Sequence, residues 1–296
     1  MSFISCPSCG SHSPFFFTSK DFNRRVSEET FSHYKCPDCK LIFVAPIPSD
    51  LGKYYSDSYH FVPDSFDYME KAAGHERYKI EIIQQFAKTG SLLEIGPSYG
   101  CFTYLAKKAG FSVDAIEMNA RCCEFLEKVL GVNAINSDNP VEALLQGGSY
   151  DVIALWHVIE HLPNAFAALE AICSRVKPGG YVVLAAPNPE AFQFQLMGSY
   201  WPHVDAPRHV MLIPMKLLAE RMEHLGMKTE WVTTRDKGSL GWNTFGWEFL
   251  FSNLSSYRHL KRVLHRFGRL VAWLLSPIER IEGNGSAYTM VFKKVS

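Results

Sequence analysis

The stretch Leu92-Leu-Glu-Ile-Gly-Pro-Ser-Tyr-Gly100 decides the fold of this chain. Its first four residues have the apolar pattern of a buried strand, and a helix is predicted directly after it, over 102–109. Between the two, glycines allow a sharp turn and let the backbone approach a ligand closely. The stretch therefore predicts a strand of a parallel sheet with a binding site at its carboxyl end.

Beyond this loop, strands and helices alternate along the chain. Further strands are predicted at 113–116, 151–155, 181–184, 228–232 and 287–293, and helices at 75–88, 120–130, 165–176 and 214–225. Alternation of this kind is typical of a mostly parallel sheet that carries helices on both faces. The fold class predicted is α/β.

The first 48 residues have a different character, because they contain two Cys-x-x-Cys pairs. Cys6, Cys9, Cys36 and Cys39 can deliver four thiolates to one tetrahedral zinc ion. A site with four thiolates leaves no open position for water, which favours a structural over a catalytic or redox role. The remaining cysteines, Cys101, Cys122, Cys123 and Cys173, fall on predicted helices and are interpreted as core residues.

Three segments are predicted: a zinc-binding module over 1–48, a connector over 49–74, and an α/β domain over 75–296 with a helical insertion at about 243–276. In the connector, Tyr54, Tyr55 and Tyr59 are candidates for a lid, although simple packing explains them equally well.

Composition limits the function classes. The 296 residues carry 30 Lys and Arg against 30 Asp and Glu, which argues against a dedicated nucleic-acid binder. No basic start followed by a long apolar run is found, and no apolar run of membrane-spanning length. With eight cysteines interpreted as reduced thiols, these features predict a cytoplasmic protein.

A candidate ribose-binding acid follows the glycine loop. Glu117 ends the next predicted strand, about twenty residues on, which is the distance at which Rossmann-type sites bind ribose hydroxyls. A nicotinamide cofactor would use the same arrangement. However, the loop lacks the Gly-x-Gly-x-x-Gly spacing, which disfavours a pyrophosphate site at the helix terminus.

With these motifs in order, the sequence resembles the class I S-adenosylmethionine-dependent methyltransferases. The resemblance is strongest to the group that includes ubiquinone-biosynthesis O-methyltransferases and zinc-ribbon-bearing sugar C-methyltransferases. It spans about residues 75–232 and is carried by four stretches: 92–100, Ala115-Ile-Glu-Met118, the fourth-strand motif at 151–163, and the fifth at 177–188. The resemblance implies a Rossmann-like sheet and S-adenosylmethionine as cofactor.

The resemblance also implies roles for individual residues. Glu94 would approach the amino end of the methionine, Gly96 and Gly100 would line the methionine and ribose, and Glu117 would hold both ribose hydroxyls. The other candidate cofactor contacts are Met118 against the adenine, Asp138 at the adenine amino group, and His157 in the fourth-strand motif. Ser98 stands where many members of the superfamily have glycine.

Three residues are candidates for catalysis: Glu160, His161 and His209. Methyl transfer is an in-line displacement that needs a positioned nucleophile and usually a base to take its proton. A structural or capping role for either histidine is an equal alternative. His157-Val-Ile-Glu-His161 also matches an inverted zinc-protease pattern, but that pattern needs a helix, whereas here it starts at a strand end. An iron site built from His203, Asp205 and His209 is disfavoured by their short spacing.

A basic amphipathic helix is predicted at 257–275. Its apolar residues recur at spacings of three and four, and Arg258, Lys261, Arg262, Arg266 and Arg269 lie on the other side. One hypothesis is a lid that packs its apolar face over the substrate pocket. The other is contact with an anionic lipid- or nucleotide-linked substrate or with the inner face of a membrane.

The function predicted is methyl transfer from S-adenosylmethionine to a small molecule, with a sugar or glycan precursor expected from the resemblance alone. The chain is shorter than the sugar C-methyltransferases and is expected to lack their extra C-terminal domain, which argues against C-methylation of sugars in particular. Three alternatives stay open: a nicotinamide-dependent oxidoreductase, a zinc-ribbon protein that modifies or binds RNA, and a non-catalytic zinc scaffold.

Overall fold

The computed structural model describes residues 4–55, 61–63 and 65–295. Tyr59, one of the candidate lid residues, lies outside them. In the described part of the chain the strands are β1 (Ile4–Ser5), β2 (His12–Ser13), β3 (Phe15–Lys20), β4 (Thr30–Lys35), β5 (Ile42–Val44), β6 (Gly90–Ile95), β7 (Phe111–Glu117), β8 (Asn133–Asn136), β9 (Tyr150–Trp156), β10 (Val176–Pro187), β11 (Met211–Leu212), β12 (Met227–Thr233) and β13 (Ala287–Lys294).

The helices are α1 (Phe66–Ala73), α2 (Arg77–Ile83), α3 (Cys101–Lys108), α4 (Ala120–Leu130), α5 (Pro140–Gln146), α6 (Ala165–Arg175), α7 (Phe192–Met197), α8 (Met215–His224), α9 (Lys237–Ser252) and α10 (Arg258–Glu279). Helix α1 was not predicted and lies inside the segment expected to be a connector. Pro214 is the N-cap of α8, not its first helical residue as its fixed φ suggested.

Seven strands form the central sheet in the order β8-β7-β6-β9-β10-β13-β12. Strand β13 runs antiparallel to both of its neighbours, whereas the other pairings are parallel. The prediction of an α/β fold with a mostly parallel sheet is confirmed. Because the carboxyl ends of β6, β7 and β9 meet at one edge, the loops that follow them are brought together there.

Both faces of this sheet are covered, as its continuous apolar strands require. Successive strand residues point to opposite faces, so that Leu92 packs with α1 to α4 while Leu93 packs with α5, α6 and α8. The four cysteines outside the Cys-x-x-Cys pairs are buried on α3, α4 and α6, which confirms their interpretation as core residues.

The N-terminal cysteine segment is joined to the α/β domain through a shared sheet. Strands β3, β4 and β5 continue into β11, which lies after the fifth strand of the central sheet, in the order β11-β5-β4-β3. A fully buried ion pair ties the two parts further, because Arg208 contacts Asp21 at 2.6 Å and Asp205 at 2.7 Å. The N-terminal segment therefore packs directly against the stretch that precedes β11.

Helices α9 and α10 form a hairpin on the outside of the molecule. The backbone of α10 comes close to that of α9 at Gly268, where an added Cβ would lie 2.6 Å from the carbonyl oxygen of Trp247. Of the described residues, none in α10 lines the main cavity, so the helix is not a lid packed over it by its apolar face. No helix in the described part of the chain is long and apolar enough to cross a membrane.

Candidate active site

The loop after β6 contains glycines at two positions where a side chain would be strained. Gly96 has a φ of +71°, and a Cβ there would lie 2.6 Å from a methyl group of Val158. Gly100 is the left-handed N-cap of α3, and a Cβ there would lie 2.5 Å from Leu126. Ser98 also has a positive φ, of +54°, which agrees with the glycine common at this position in the superfamily.

The acid at the end of β7 is held in a fixed orientation. The backbone N–H groups of Ser98 and Asn119 donate to the two carboxylate oxygens of Glu117, at 2.9 and 2.8 Å. The side chain is almost fully buried but lines a cavity at the carboxyl edge of the sheet. A carboxylate fixed in this way can accept hydrogen bonds from two adjacent hydroxyl groups, as a ribose diol requires.

The main cavity has a volume of about 750 Å³ and contains most of the predicted site. The predicted residues that line it are Gly96, Glu117, Met118, Asp138, His157 and His161. Residues 47–52 and Tyr55, from the end of the predicted zinc module and the start of the predicted connector, also line it. Met118 is half-exposed there, as a residue that packs against an added planar ring would be.

A smaller cavity of about 250 Å³ adjoins the first and shares Gly96, Ser98 and Trp156 with it. Glu94 lines it, where burial raises the pKa of its carboxyl to about 8 and a hydrogen bond from Thr103 opposes that shift. Sequence reasoning missed Glu76 and Lys79 on the opposite wall, which form an ion pair at 2.8 Å. Their spacing of three in the predicted helix was the signal that could have found them.

Gly100 is the one predicted cofactor residue that lines neither described cavity. Its contribution is to the turn, since it allows α3 to start directly after the loop.

The imidazole of His161 is held with one nitrogen available. Its Nδ1 lies 3.1 Å from the carbonyl oxygen of Arg208, which can only accept, so Nδ1 carries the proton. The hydroxyl of Tyr55 is also 3.1 Å from this nitrogen. In the neutral ring Nε2 therefore keeps its lone pair. Burial, together with the neighbouring His209, lowers the pKa of His161 to about 4.

Glu160 and His209 lie behind His161 rather than on the cavity wall. The His209 ring stands edge-on to that of His161, with centroids 4.5 Å apart, and its Nδ1 is 2.7 Å from the carbonyl oxygen of His203. Neither carboxylate oxygen of Glu160 has a hydrogen-bond partner among the described residues. Burial would raise the pKa of Glu160, but His157, His209 and His161 outweigh it and lower the pKa to about 2.

Among the described residues, two groups of side chains have the geometry to hold a metal ion. The ligating atoms of Glu160, His161 and His209 all lie within 4.8 Å of one another, and of these residues His161 lines the main cavity. His203 and Asp205, the other members of the disfavoured iron set, are not in this group. The second group is the four N-terminal cysteines, Cys6, Cys9, Cys36 and Cys39.

The cysteine group fits zinc closely. The distances between sulfur atoms are 3.6 Å for Cys6 and Cys39, 3.5 Å for Cys9 and Cys36, and 3.8 Å for Cys9 and Cys39. A tetrahedral site with zinc–sulfur bonds of about 2.3 Å requires separations of about 3.8 Å. The four cysteines are free of disulfides, as a thiolate site demands.

Comparisons with known proteins agree with the sheet and the cavity at its carboxyl edge. A ubiquinone biosynthesis O-methyltransferase from Bordetella avium is 30% identical over 135 residues, which cover 41% of this chain and 54% of that protein. The chain thus spans about half the length of the curated relatives it matches. A Galdieria sulphuraria structure provisionally assigned as a sarcosine dimethylglycine methyltransferase has a TM-score of 0.53 at 15% identity, covering 80% of this chain and 92% of that one. A SAM-dependent methyltransferase from Archaeoglobus fulgidus has a TM-score of 0.51 at 20% identity, covering 78% and 100%.

The methyltransferase domain family model matches residues 68–230, which is more than half of the chain. This stretch contains the glycine loop, the acid at the end of β7 and most of the central sheet. The chain belongs to the methyltransferase domain family, within the class I S-adenosylmethionine-dependent methyltransferases.

Proposed function

We propose that this chain transfers a methyl group from S-adenosylmethionine to a hydroxyl-bearing small molecule. The observation that carries the proposal is one continuous cavity, lined at one end by Glu117, Met118 and Asp138 and at the other by His161 and Tyr55. A cavity of this size can hold a cofactor and an acceptor together. The proposal disfavours a nicotinamide cofactor, because the loop lacks the glycine spacing that binds a pyrophosphate.

When bound, S-adenosylmethionine supplies a methyl group on a positively charged sulfur. In the proposal Glu117 holds the ribose, Asp138 lies at the adenine amino group and Met118 packs on the adenine ring. Glu94 and Lys79, in the adjoining cavity, are assigned to the amino and carboxylate groups of the methionine because their charges are complementary to these groups.

At the acceptor end we assign His161 as the base. Its Nε2 is the nitrogen that keeps a lone pair, because Nδ1 is bound to the backbone of Arg208. Glu160 and His209 are assigned as positioning residues, since they contact the histidines rather than line the cavity. His157 is assigned to the boundary between cofactor and acceptor, where Trp242 donates to its Nε2 at 3.0 Å.

For the acceptor we propose a sugar or glycan precursor, lipid-linked or nucleotide-linked. The presence of a four-cysteine module before the methyltransferase domain supports this class, through the resemblance to zinc-ribbon-bearing sugar methyltransferases. A second candidate is a phenol, because the curated relatives are ubiquinone biosynthesis O-methyltransferases. Transfer of labelled methyl groups to a panel of sugar nucleotides, lipid-linked sugars and catechols would separate the two.

Calorimetric titration tests the cofactor assignment. S-adenosylhomocysteine should bind and NAD should not, and binding of NAD alone would contradict the proposal.

The division of roles is tested with two alanine variants. Glu117→Ala should weaken binding of S-adenosylhomocysteine by about 10- to 100-fold, because two charge-assisted hydrogen bonds to the ribose are lost. His161→Ala should leave that affinity within about twofold and lower turnover about 100-fold or more, as expected for loss of a general base. Equal losses of cofactor affinity in both variants would show that the two ends of the cavity do not act separately.

We further propose that Cys6, Cys9, Cys36 and Cys39 bind a structural zinc ion. The sulfur separations and the absence of an open position on a four-thiolate ion support this. We also propose a division into a zinc module at 1–48, a connector at 49–74 and a methyltransferase domain at 75–296. The α9–α10 hairpin would be the helical insertion in this domain.

A further inference from the structure

Helix α10 exposes an apolar stripe to solvent. Its outer face, defined here as Leu260, Val263, Phe267, Leu270 and Leu274, recurs at alternating spacings of three and four residues and so lies along one line. All five side chains are exposed, Val263 by 60% and Leu274 by 58%. Isolated exposed apolar residues are ordinary on protein surfaces, but a continuous stripe along four turns marks an interaction surface.

The described part of the chain leaves this stripe exposed. The opposite side of α10 is already packed on α9, where Gly268 lies against Trp247. The C-terminal end of the helix is anchored in the interior, because the buried carboxylate of Glu279 accepts hydrogen bonds from Trp247 and Gln193, both at 2.8 Å. These contacts fix the rotation of α10 and leave the outer face exposed, apart from an edge-on contact between Phe267 and Phe251 of α9.

A basic stripe runs beside the outer face. Arg258, Arg262, Arg266 and Arg269 are also spaced by three or four residues, and all are exposed. From 258 to 278 the helix contains no Asp or Glu. Arg269 is paired with Glu248 at 2.7 Å, whereas in the described part of the chain Arg258, Arg262 and Arg266 have no carboxylate within 4 Å. This excess of positive charge is a local property of α10, since the whole chain has equal numbers of acidic and basic residues.

We propose that α10 docks on an anionic lipid surface, with its outer face among the acyl chains and the arginine stripe at the headgroups. A helix with an apolar face and a cationic flank lies in the membrane interface and prefers anionic lipids. Trp273, 70% exposed and on the arginine side, suits the headgroup level as well. The charge complementarity selects lipid over a second copy, because a two-fold contact through this face would bring together two arginine stripes and no carboxylates of α10.

The docked surface is connected to the active site through α9. Trp242 on α9 contacts both His157, by its hydrogen bond, and His203, with ring centroids 4.8 Å apart. Phe251, at the far end of α9, packs edge-on against Phe267 of the outer face. Docking would therefore place the acceptor end of the cavity one helix away from the bilayer.

Vesicle flotation of the full chain tests the proposal without any measurement of activity. The protein should float with vesicles of phosphatidylcholine that contain about one third phosphatidylglycerol, and should stay at the bottom with phosphatidylcholine alone. Each arginine near an anionic surface strengthens partitioning about fivefold, so Arg262→Glu with Arg266→Glu should weaken it by at least about 25-fold. Phe267→Glu with Leu270→Glu should abolish it.

The matched control is Leu145→Glu, which places a charge on an equally exposed leucine of α5, 59% exposed. This variant should float like the unchanged chain, and all variants should keep the same thermal unfolding temperature and affinity for S-adenosylhomocysteine. Failure of the unchanged chain to float would overturn the proposal. So would a folded Phe267→Glu/Leu270→Glu variant that still floats, or a dimer in sedimentation equilibrium that this variant dissociates.

Discussion

At the residue scale, Glu94 is a buried titrating group in the smaller cavity with a strongly raised pKa. Its carboxyl is fully buried at the end of the strand, and burial raises its pKa to about 8. At neutral pH most of this carboxyl is therefore protonated in the ligand-free protein. The ammonium group of a bound methionine would favour the ionised form, so cofactor binding should release a proton.

This gives a pH dependence with a definite sign. Affinity for S-adenosylhomocysteine should rise with pH, by up to about tenfold per unit, until the pH passes the pKa of about 8, above which Glu94 no longer contributes. Calorimetry in buffers of different ionisation enthalpy would measure both the affinity and the proton released. Glu94→Gln should bind more weakly and lose the dependence; an unchanged slope in that variant would assign the proton to another group.

Some features of the candidate site could be predicted from the sequence, and others could not. Glu117, Gly96 and His161 could be found, because strand ends and glycine loops have a sequence pattern and their neighbours follow from it. The proton on Nδ1 of His161 could not, because it depends on the carbonyl of Arg208, 47 residues further along the chain.

At the element scale, the α9–α10 hairpin depends on close contact at one glycine. In Gly268→Ala the new methyl group would lie 2.6 Å from the carbonyl oxygen of Trp247, which is backbone and cannot rotate away. We expect a loss of about 1–3 kcal/mol in the free energy of unfolding, from overpacking.

Gly241→Ala is the matched control, because Gly241 lies in α9 with nothing within 4 Å of an added Cβ. It should raise the free energy of unfolding by about 0.5–1 kcal/mol, the usual difference in helix propensity between alanine and glycine. Urea denaturation would measure both changes. Equal free energies of unfolding in the two variants would show that the close contact at Gly268 does not limit the size of the residue there.

Helix α10 also shows why an amphipathic pattern does not by itself determine which face is covered. The periodicity predicted the helix, which is confirmed, but the buried residues of α10 in contact with α9 include the small residue Gly268, where the two backbones meet. An apolar stripe is normally assigned to the core. Here two backbones approach each other closely on the buried side of α10, Val271 and Leu275 pack against the core, and the large apolar residues of the outer face stay exposed.

At the scale of the whole molecule, the N-terminal segment and the acceptor end of the cavity are joined by buried charges. Arg208 is fully buried between Asp21 and Asp205, and its Nη1 also donates to the carbonyl oxygen of Tyr54 at 3.2 Å. Since the backbone of Arg208 also holds His161, the segment positions the proposed base.

Removal of one carboxylate from this group should be costly. Asp21→Asn is expected to lower the free energy of unfolding by about 3 kcal/mol, because a buried guanidinium loses one of its two charged partners. Glu28→Gln, at an exposed pair with Lys20 of 3.5 Å, should change it by less than about 1 kcal/mol. Similar losses in the two variants would show that the buried pair adds nothing beyond a surface contact.

Zinc removal should affect more than the N-terminal segment, because β5 pairs with β11. Cys36→Ser should lose the ion and lower the temperature of unfolding of the whole chain, whereas Cys173→Ser, another buried thiol, should keep one zinc per chain. Metal analysis with thermal unfolding measures both. If the Cys36→Ser protein contained no zinc and unfolded at an unchanged temperature, the ion would not be needed for stability.

The sequence by itself determined the α/β class, the strand, glycine loop and helix that begin the parallel sheet, the acid at the end of β7 and the two Cys-x-x-Cys pairs. Each of these is encoded by local periodicity or by the spacing of a few neighbouring residues. Only the tertiary structure decided that β11 extends the N-terminal sheet, that Arg208 is buried between two carboxylates, and that the apolar stripe of α10 faces solvent. The physical reason is that pairing, burial and the exposure of a face depend on residues far apart in the chain, whose approach is set by packing and not by any local pattern.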